Sequence, residues 1–240
     1  MKEVFNLSIE GVLWKIHYDT VSDCFLIENR IESPRATHFY LVSISGAIIN
    51  SWEPDIENWW FNTLLFHDKK VYFTLYADED SPETTELLVY DANKGELIQH
   101  YKDCTIAKIL AEAIEIKTLE EEIIINLPKA KQPSLSTPVQ YIAETEYFKT
   151  VAKFIIQSQD IVPVQLIEYL EYSNYIIISY YIKNNEGLDN YLLILDSEGK
   201  LLYQDCVATK LKGVGDHTFF AQKEKIYFIK DSNTFKSISL

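Results

Sequence analysis

LLVYDANKGELIQHYKDC, residues 87–104, returns about a hundred residues later as LLILDSEGKLLYQDC, residues 192–206. A chain that writes one phrase twice builds one supersecondary unit twice, so repetition constrains the fold before any other feature does. A third copy is FYLVSISGAIINSW, residues 39–52. Its turn glycine, Gly46, lies 49 residues before Gly95, and Gly199 follows Gly95 by 104, close to two such periods. The period therefore requires a copy near residue 147. YIAETEYFKTVAKF, residues 141–154, stands there, with Tyr147 in place of the glycine.

Each phrase reads as a β-hairpin, with an apolar run, a polar turn holding Gly and a second apolar run. Two further strand-like runs precede each hairpin. They are GVLWKIHYD and DCFLIENRI, then NWWFNTLLFHD and KKVYFTLYAD, then TIAKILAEAIEI and EEEIIINLP, then PVQLIEYLEYS and NYIIISYYIKN. Four antiparallel strands in about fifty residues is the size of a propeller blade. A last unit, DHTFFAQK, EKIYFIKD and NTFKSISL, has three strands, and EVFNLSIEG at residues 3–11 is placed to supply its fourth. The expected architecture is all-β, a single domain over residues 1–240. It is a five-bladed β-propeller of four-stranded blades at 11–54, 58–104, 105–158, 162–209 and 213–240 plus 2–10, closed by the N-terminal strand.

The strands themselves favour stacked blades. YIIISYYI, LLILD and EIIINLP are apolar at nearly every position, so both faces of those strands must be covered, whereas a sheet with one wet face alternates. TIAKILAEAIEIKTLEEE, residues 105–122, has Ala and Glu enough for an amphipathic helix. The period favours strand there.

The formal charge of −14, from 22 Lys+Arg against 36 Asp+Glu, disfavours nucleic acid and anionic membrane as partners. No apolar segment follows Lys2 in the manner of a signal peptide, and no run is long enough to cross a membrane as a helix, which points to a cytoplasmic protein. Cys24, Cys104 and Cys206 fit neither a disulfide framework nor a CxxC metal site and read as core residues.

GVLWKI, the pair Trp59–Trp60, LYADEDSPE and ELLVYDANKGELI occur in an order that resembles an uncharacterised family of bacterial proteins, a domain of unknown function, over most of the chain. Trp59, Tyr76, Asp78 and Pro82 fall at recurring positions of that family, and Gln99 stands where a Trp often closes the hairpin. The hairpins also resemble those of WD40 and quinoprotein propellers, without the Gly-His and Trp-Asp pairs of the former. The resemblance implies a propeller-like fold and no particular activity.

Loops between blades and between middle strands are where a propeller ligand is expected. Trp59 and Trp60 suit a sugar platform, although neighbours on a strand point to opposite sides, so at least one of them packs. Tyr76, Asp55, Glu57, Asp78 and Asp160 complete the candidate set. Asp78, Glu79, Asp80 and Glu83 lack EF-hand spacing and read better as a solvated turn, and the five histidines include no HxH or HExxH, so no metal and no cofactor is expected. No GxSxG, GxGxxG or Walker loop occurs. Two function classes remain. One is a non-catalytic scaffold binding an unknown protein or small molecule through one end face or the axial channel. The other is a carbohydrate hydrolase drawing a carboxylate pair from Asp55, Glu57, Asp78 and Asp160.

Overall fold

The structure, a computed structural model, describes residues 1–33, 35–56, 61–76, 85–215 and 217–240. The described chain is all-β with one helix. In order it runs β1 (Lys2–Ser8), β2 (Val12–Asp19), β3 (Cys24–Glu32), β4 (Arg35–Ser43), β5 (Ile48–Trp52), β6 (Phe61–His67), β7 (Lys70–Tyr76), β8 (Thr85–Asp91), β9 (Glu96–Leu110), β10 (Ala113–Lys117), β11 (Glu122–Asn126) and β12 (Val139–Ile142). Then follow α1 (Glu146–Gln159), β13 (Val164–Tyr172), β14 (Tyr175–Lys183), β15 (Leu188–Asp196), β16 (Leu201–Leu211), β17 (Phe219–Gln222), β18 (Lys225–Lys230) and β19 (Thr234–Ser239). All strand pairing is antiparallel, and the chain divides into two compact units.

The unit Gly11–Ser134 holds the sheets β2-β3-β4-β5 and β11-β10-β9-β8-β7-β6. Their facing sides share one core, in which Leu26, Phe39, Leu41 and Trp52 meet Phe61, Val71, Phe73 and Tyr90. Phe39 stacks on Trp52 at 5.6 Å and tilts against Phe73 at 5.0 Å. The long strand β9 pairs with β8 as far as Cys104 and with β10 from Thr105 onward. The register slips near Lys102–Asp103, where Asp103 has φ 47°, a bulge that bends the strand. The bend carries β10 and β11 over the outer face of the sheet, so that Ile114, Ile116 and Leu127 bury Tyr72, Leu87 and Val89. The middle strands are therefore covered on both sides.

The other unit joins Met1–Glu10 to Leu135–Leu240. Its sheets are β1-β19-β18-β17 and β12-β13-β14-β15-β16. Ile177, Leu192, Ile194 and Val207 face Phe219, Ile226, Phe228 and Ile238 across one core. On the opposite side of the larger sheet, Phe148, Ala152 and Ile155 of α1 cover Ile167, Ile178, Tyr180 and Leu193. As expected, β1 is the fourth strand of the C-terminal sheet. It pairs with β19 from Lys2↔Ser239 to Ser8↔Thr234 and seats Phe5 against Phe235 at 5.2 Å and Tyr227 at 6.1 Å.

The strands expected in the first, second, fourth and fifth repeats are found as neighbours in one sheet each, β2–β5, β6–β9, β13–β16 and β17–β19 plus β1. The third, residues 105–158, is corrected. Residues 105–110 and 113–117 are strand, but β10 and β11 prolong the second sheet, β12 joins the fourth, and the expected hairpin at 141–154 is largely helix. The cause lies in the missing glycine. The hairpin turns at Gly46, Gly95 and Gly199 have φ of 85°, 72° and 82°, a region costly for tyrosine, and position 147 is Tyr. Thr145 instead caps a helix by accepting from the Phe148 amide at 3.2 Å, and Phe148, Ala152 and Ile155 recur on one helical face. Among the described residues no helix is long and apolar enough to cross a membrane.

Because β1 supplies the outer strand of its sheet, Phe5→Ala is expected to cost about 3 kcal/mol, lowering Tm by about 6–12 °C. Deletion of residues 2–8 is expected to lower it further. Calorimetric melts of both variants check this, and unchanged melting of the deletion would show that the sheet does not depend on β1.

Candidate functional site

The cleft of interest lies on the unit of Met1–Glu10 and Leu135–Leu240, where α1 rests on the outer face of the five-stranded sheet. Its volume is about 220 Å³. One wall is helical, built from Thr150, Val151 and Phe154, which share a face at spacings of one turn. The floor is Tyr169 of β13, Ile176 and Ile178 of β14 and Leu195 of β15, and the rim is the β15–β16 turn at Gly199. The lining is mostly carbon. Thr150 donates its hydroxyl to the Glu146 carbonyl at 2.9 Å, and Tyr169 donates to Glu171 Oε1 at 2.6 Å. Burial, together with that carboxylate, pushes the Tyr169 phenol upward, so it stays protonated at neutral pH.

The reason for the space is visible in the repeat. Trp52 and Phe154 close the phrases 39–52 and 141–154, and each meets the turn glycine of the hairpin that follows. At Gly95 the contact is closed, since a Cβ there would stand 2.6 Å from Trp52 Cβ and Cγ. At Gly199 a Cβ would stand 3.7 Å from Phe154 Cε2, in ordinary contact. A helix has replaced the hairpin before Gly199, and its aromatic stands slightly farther off, where both residues line the cleft.

The repeated aspartates hold these turns. Asp91 Oδ1 accepts from the Asn93 amide at 2.8 Å, and Asp196 Oδ1 accepts from the Glu198 and Lys200 amides at 3.0 and 2.9 Å. Among the candidates read from sequence, Glu57, Trp59, Trp60 and Asp78 lie outside the described residues. Tyr76 ends β7 opposite Thr85 and is exposed. Asp55 is exposed, with its backbone against the Tyr90 hydroxyl. Asp160 has φ 56° and ψ 37° and is the C-cap of α1, its amide donating to the Ile156 carbonyl at 2.9 Å. Asp55 and Asp160 belong to different units, and neither lines the cleft. The cleft residues were missed because the period assigned strand to 141–154. The 3.6-residue spacing of Phe148, Ala152 and Ile155 was the signal that finds them.

Buried polar groups elsewhere are engaged in holding sheets together. In one unit Glu28, 1% exposed, accepts from Arg30 Nε and Nη2 at 3.0 and 2.8 Å and from Thr63 Oγ1 of the next sheet at 3.0 Å. In the other, Glu168, fully buried, accepts from Gln140 Nε2 at 3.1 Å, from the Thr218 amide at 3.0 Å and from the Thr218 hydroxyl. Asp19 accepts from the Val21 and Lys69 amides at 2.9 and 3.0 Å. Cys24 and Cys104 are buried and Cys206 is half-buried rather than core, all three are free, and burial raises each thiol, Cys24 to about 11, which keeps them poor nucleophiles. Among the described residues no group of three or more His, Cys, Asp or Glu is arranged to hold a metal ion. His17 is among the buried polar side chains that do not follow this pattern. Its Nε2 is buried without a hydrogen-bond partner, and desolvation, aided by Lys15, lowers its pKa to about 4.

No protein-family model and no curated protein matches the chain. Among solved structures it is similar to the Pyrococcus horikoshii acylaminoacyl peptidase (orthorhombic crystal form), at 11% identity and TM-score 0.28 over 93% of this chain and 36% of that one. The chain thus spans about a third of the length of that protein, and a likeness at this level bears on neither fold nor activity.

The two glycines are expected to respond differently. Gly95→Ala meets both a positive φ and Trp52, and should cost about 3 kcal/mol or more; Gly199→Ala meets only the positive φ, about 1 kcal/mol. Equal losses in denaturant titrations would refute the difference in closure. For His17, folded and unfolded states are both neutral above pH 6.5. Between 6.5 and about 4 the unfolded chain takes up a proton that the folded one refuses, so stability is lost as pH falls through that window, by up to about 3 kcal/mol. His17→Leu should remove that component, read as the difference between wild-type and variant melts at pH 7.5 and 4.5.

Proposed function

We propose that this chain is a non-catalytic binding scaffold, propeller-like in kind, that takes a small ligand in the cleft beside α1. The observation that carries the reading is the cleft itself. A concave, largely carbon-lined volume of about 220 Å³ sits between two rigid elements, with only the hydroxyls of Thr150 and Tyr169 as polar handles. That is the usual composition of a small-molecule site, mostly apolar with a few placed polar groups. The propeller-like part is supported by antiparallel sheets stacked face to face within each unit, by the period of about fifty residues, and by β1 serving as the fourth strand of the C-terminal sheet. Kinship with the uncharacterised bacterial family is part of the same proposal, carried by GVLWKI and ELLVYDANKGELI.

Among the described residues no geometric observation favours the hydrolase. Glycoside hydrolysis needs two carboxyl groups flanking the substrate, and the residues lining the cleft include none.

A thermal-shift screen separates the readings, since a ligand that binds only the folded state must stabilise it by mass action. Uncharged apolar compounds at about a hundred times Kd are expected to raise Tm by about 5–10 °C, with sugars and divalent cations without effect. Stabilisation by sugars alone, with turnover of aryl glycosides, would replace this reading by the hydrolase.

A further inference from the structure

Resting on that reading, we propose that the cleft is specific for one class of ligand: an uncharged, flat aromatic of one or two fused rings carrying an N–H or O–H donor, with indole as the type.

Flatness follows from the aromatic side chains of the lining. At Gly95 the protein closes the corresponding position with an indole of its own, laid directly against the glycine by Trp52. At Gly199 the Phe154 ring stands about 1 Å farther from the same point, in ordinary contact, so this corner is packed less tightly than its counterpart and an aromatic edge forms the rim. Phe154 and Tyr169 put two aromatic side chains on the wall and the floor, and rings favour rings in offset or edge-on contact. Size follows from volume. A cavity of about 150 Å³ holds benzene, and about 220 Å³ admits a fused bicycle.

Charge and polarity follow from the hydroxyls. Burying an anion here would leave it without a counter-charge, because no charged side chain lines the cleft and the group next to its polar edge is the Glu171 carboxylate. The Thr150 proton is committed to the Glu146 carbonyl and the Tyr169 proton to Glu171. Both oxygens therefore keep acceptor capacity only, and the polar group they match on a ligand is a donor. An indole N–H meets that requirement. An indole-3-carboxylate adds an anion that the site cannot pair.

The experiment is a titration of the full chain with indole, indole-3-acetate and cyclohexanol, followed by the methyl resonances of Val151, Ile176, Ile178 and Leu195. Indole is expected to shift all four, and indole-3-acetate and cyclohexanol to bind at least ten-fold more weakly. Thr150→Phe, which puts a ring into the cleft from an exposed helical position, is expected to abolish the indole response; Phe154→Ala, which widens it, should weaken indole while leaving the fold intact by circular dichroism. If cyclohexanol or the acetate binds as tightly as indole, the ligand class is wrong and the cleft still stands as a binding site. If indole binds wild type and Thr150→Phe alike, the cleft is not where it binds. If none of the three perturbs these methyls, the proposed function falls with the inference.

Discussion

Strands that are apolar on both faces have to be covered twice, and each unit meets that demand with three layers. In one, the sheet of β6–β9 lies between β2–β5 and the folded-over β10–β11. In the other, the sheet of β13–β16 lies between β17–β19 with β1 and the helix α1. Removing any cover exposes several large side chains at once, each worth about 1.5–3 kcal/mol when buried. The internal polar groups follow from the same layering. Wherever two sheets meet, edge backbone and side-chain donors are cut off from water, and Asp19, Glu28 and Glu168 accept from them.

The nature of the third layer decides where there is room. β10 and β11 cover their neighbour with strands, and side chains interdigitate. A helix offers a narrower apolar stripe to a sheet than another sheet does, and past its edge the surface of β13–β15 is only half covered. Phe154 and Val151 lie at that edge, partly buried, and the cleft opens beside them. Site and fold thus share one cause, the substitution of a helix at a single place in a repeated pattern.

Much of this was legible in the residues. Glycines at a near-constant spacing fixed the hairpins, because positive φ is cheap only there, and doubly apolar runs such as YIIISYYI announced stacked sheets. The N-terminal strand was readable by counting, since three strands at 219–239 needed a fourth. The third unit was not. Its aromatic and β-branched residues fit strand or helix, and only tertiary context and the absent glycine chose between them. The cleft was illegible for a further reason. It depends on how far α1 covers the strands β13–β15, which no property of a single residue encodes.

The pairing of β1 with β19 also imposes an order of events on synthesis. Lys2 and Ser239 meet although 237 positions separate them, whereas Gly11–Ser134 is one continuous stretch. At roughly 5–20 residues per second on the ribosome, β1 waits on the order of ten seconds or more for Thr234–Ser239 to be made. Throughout that interval β1, with the side chain of Phe5, is present without its partner strand, while the continuous unit can already have formed. The unit that contains β1 is therefore completed only after the continuous unit has been synthesised.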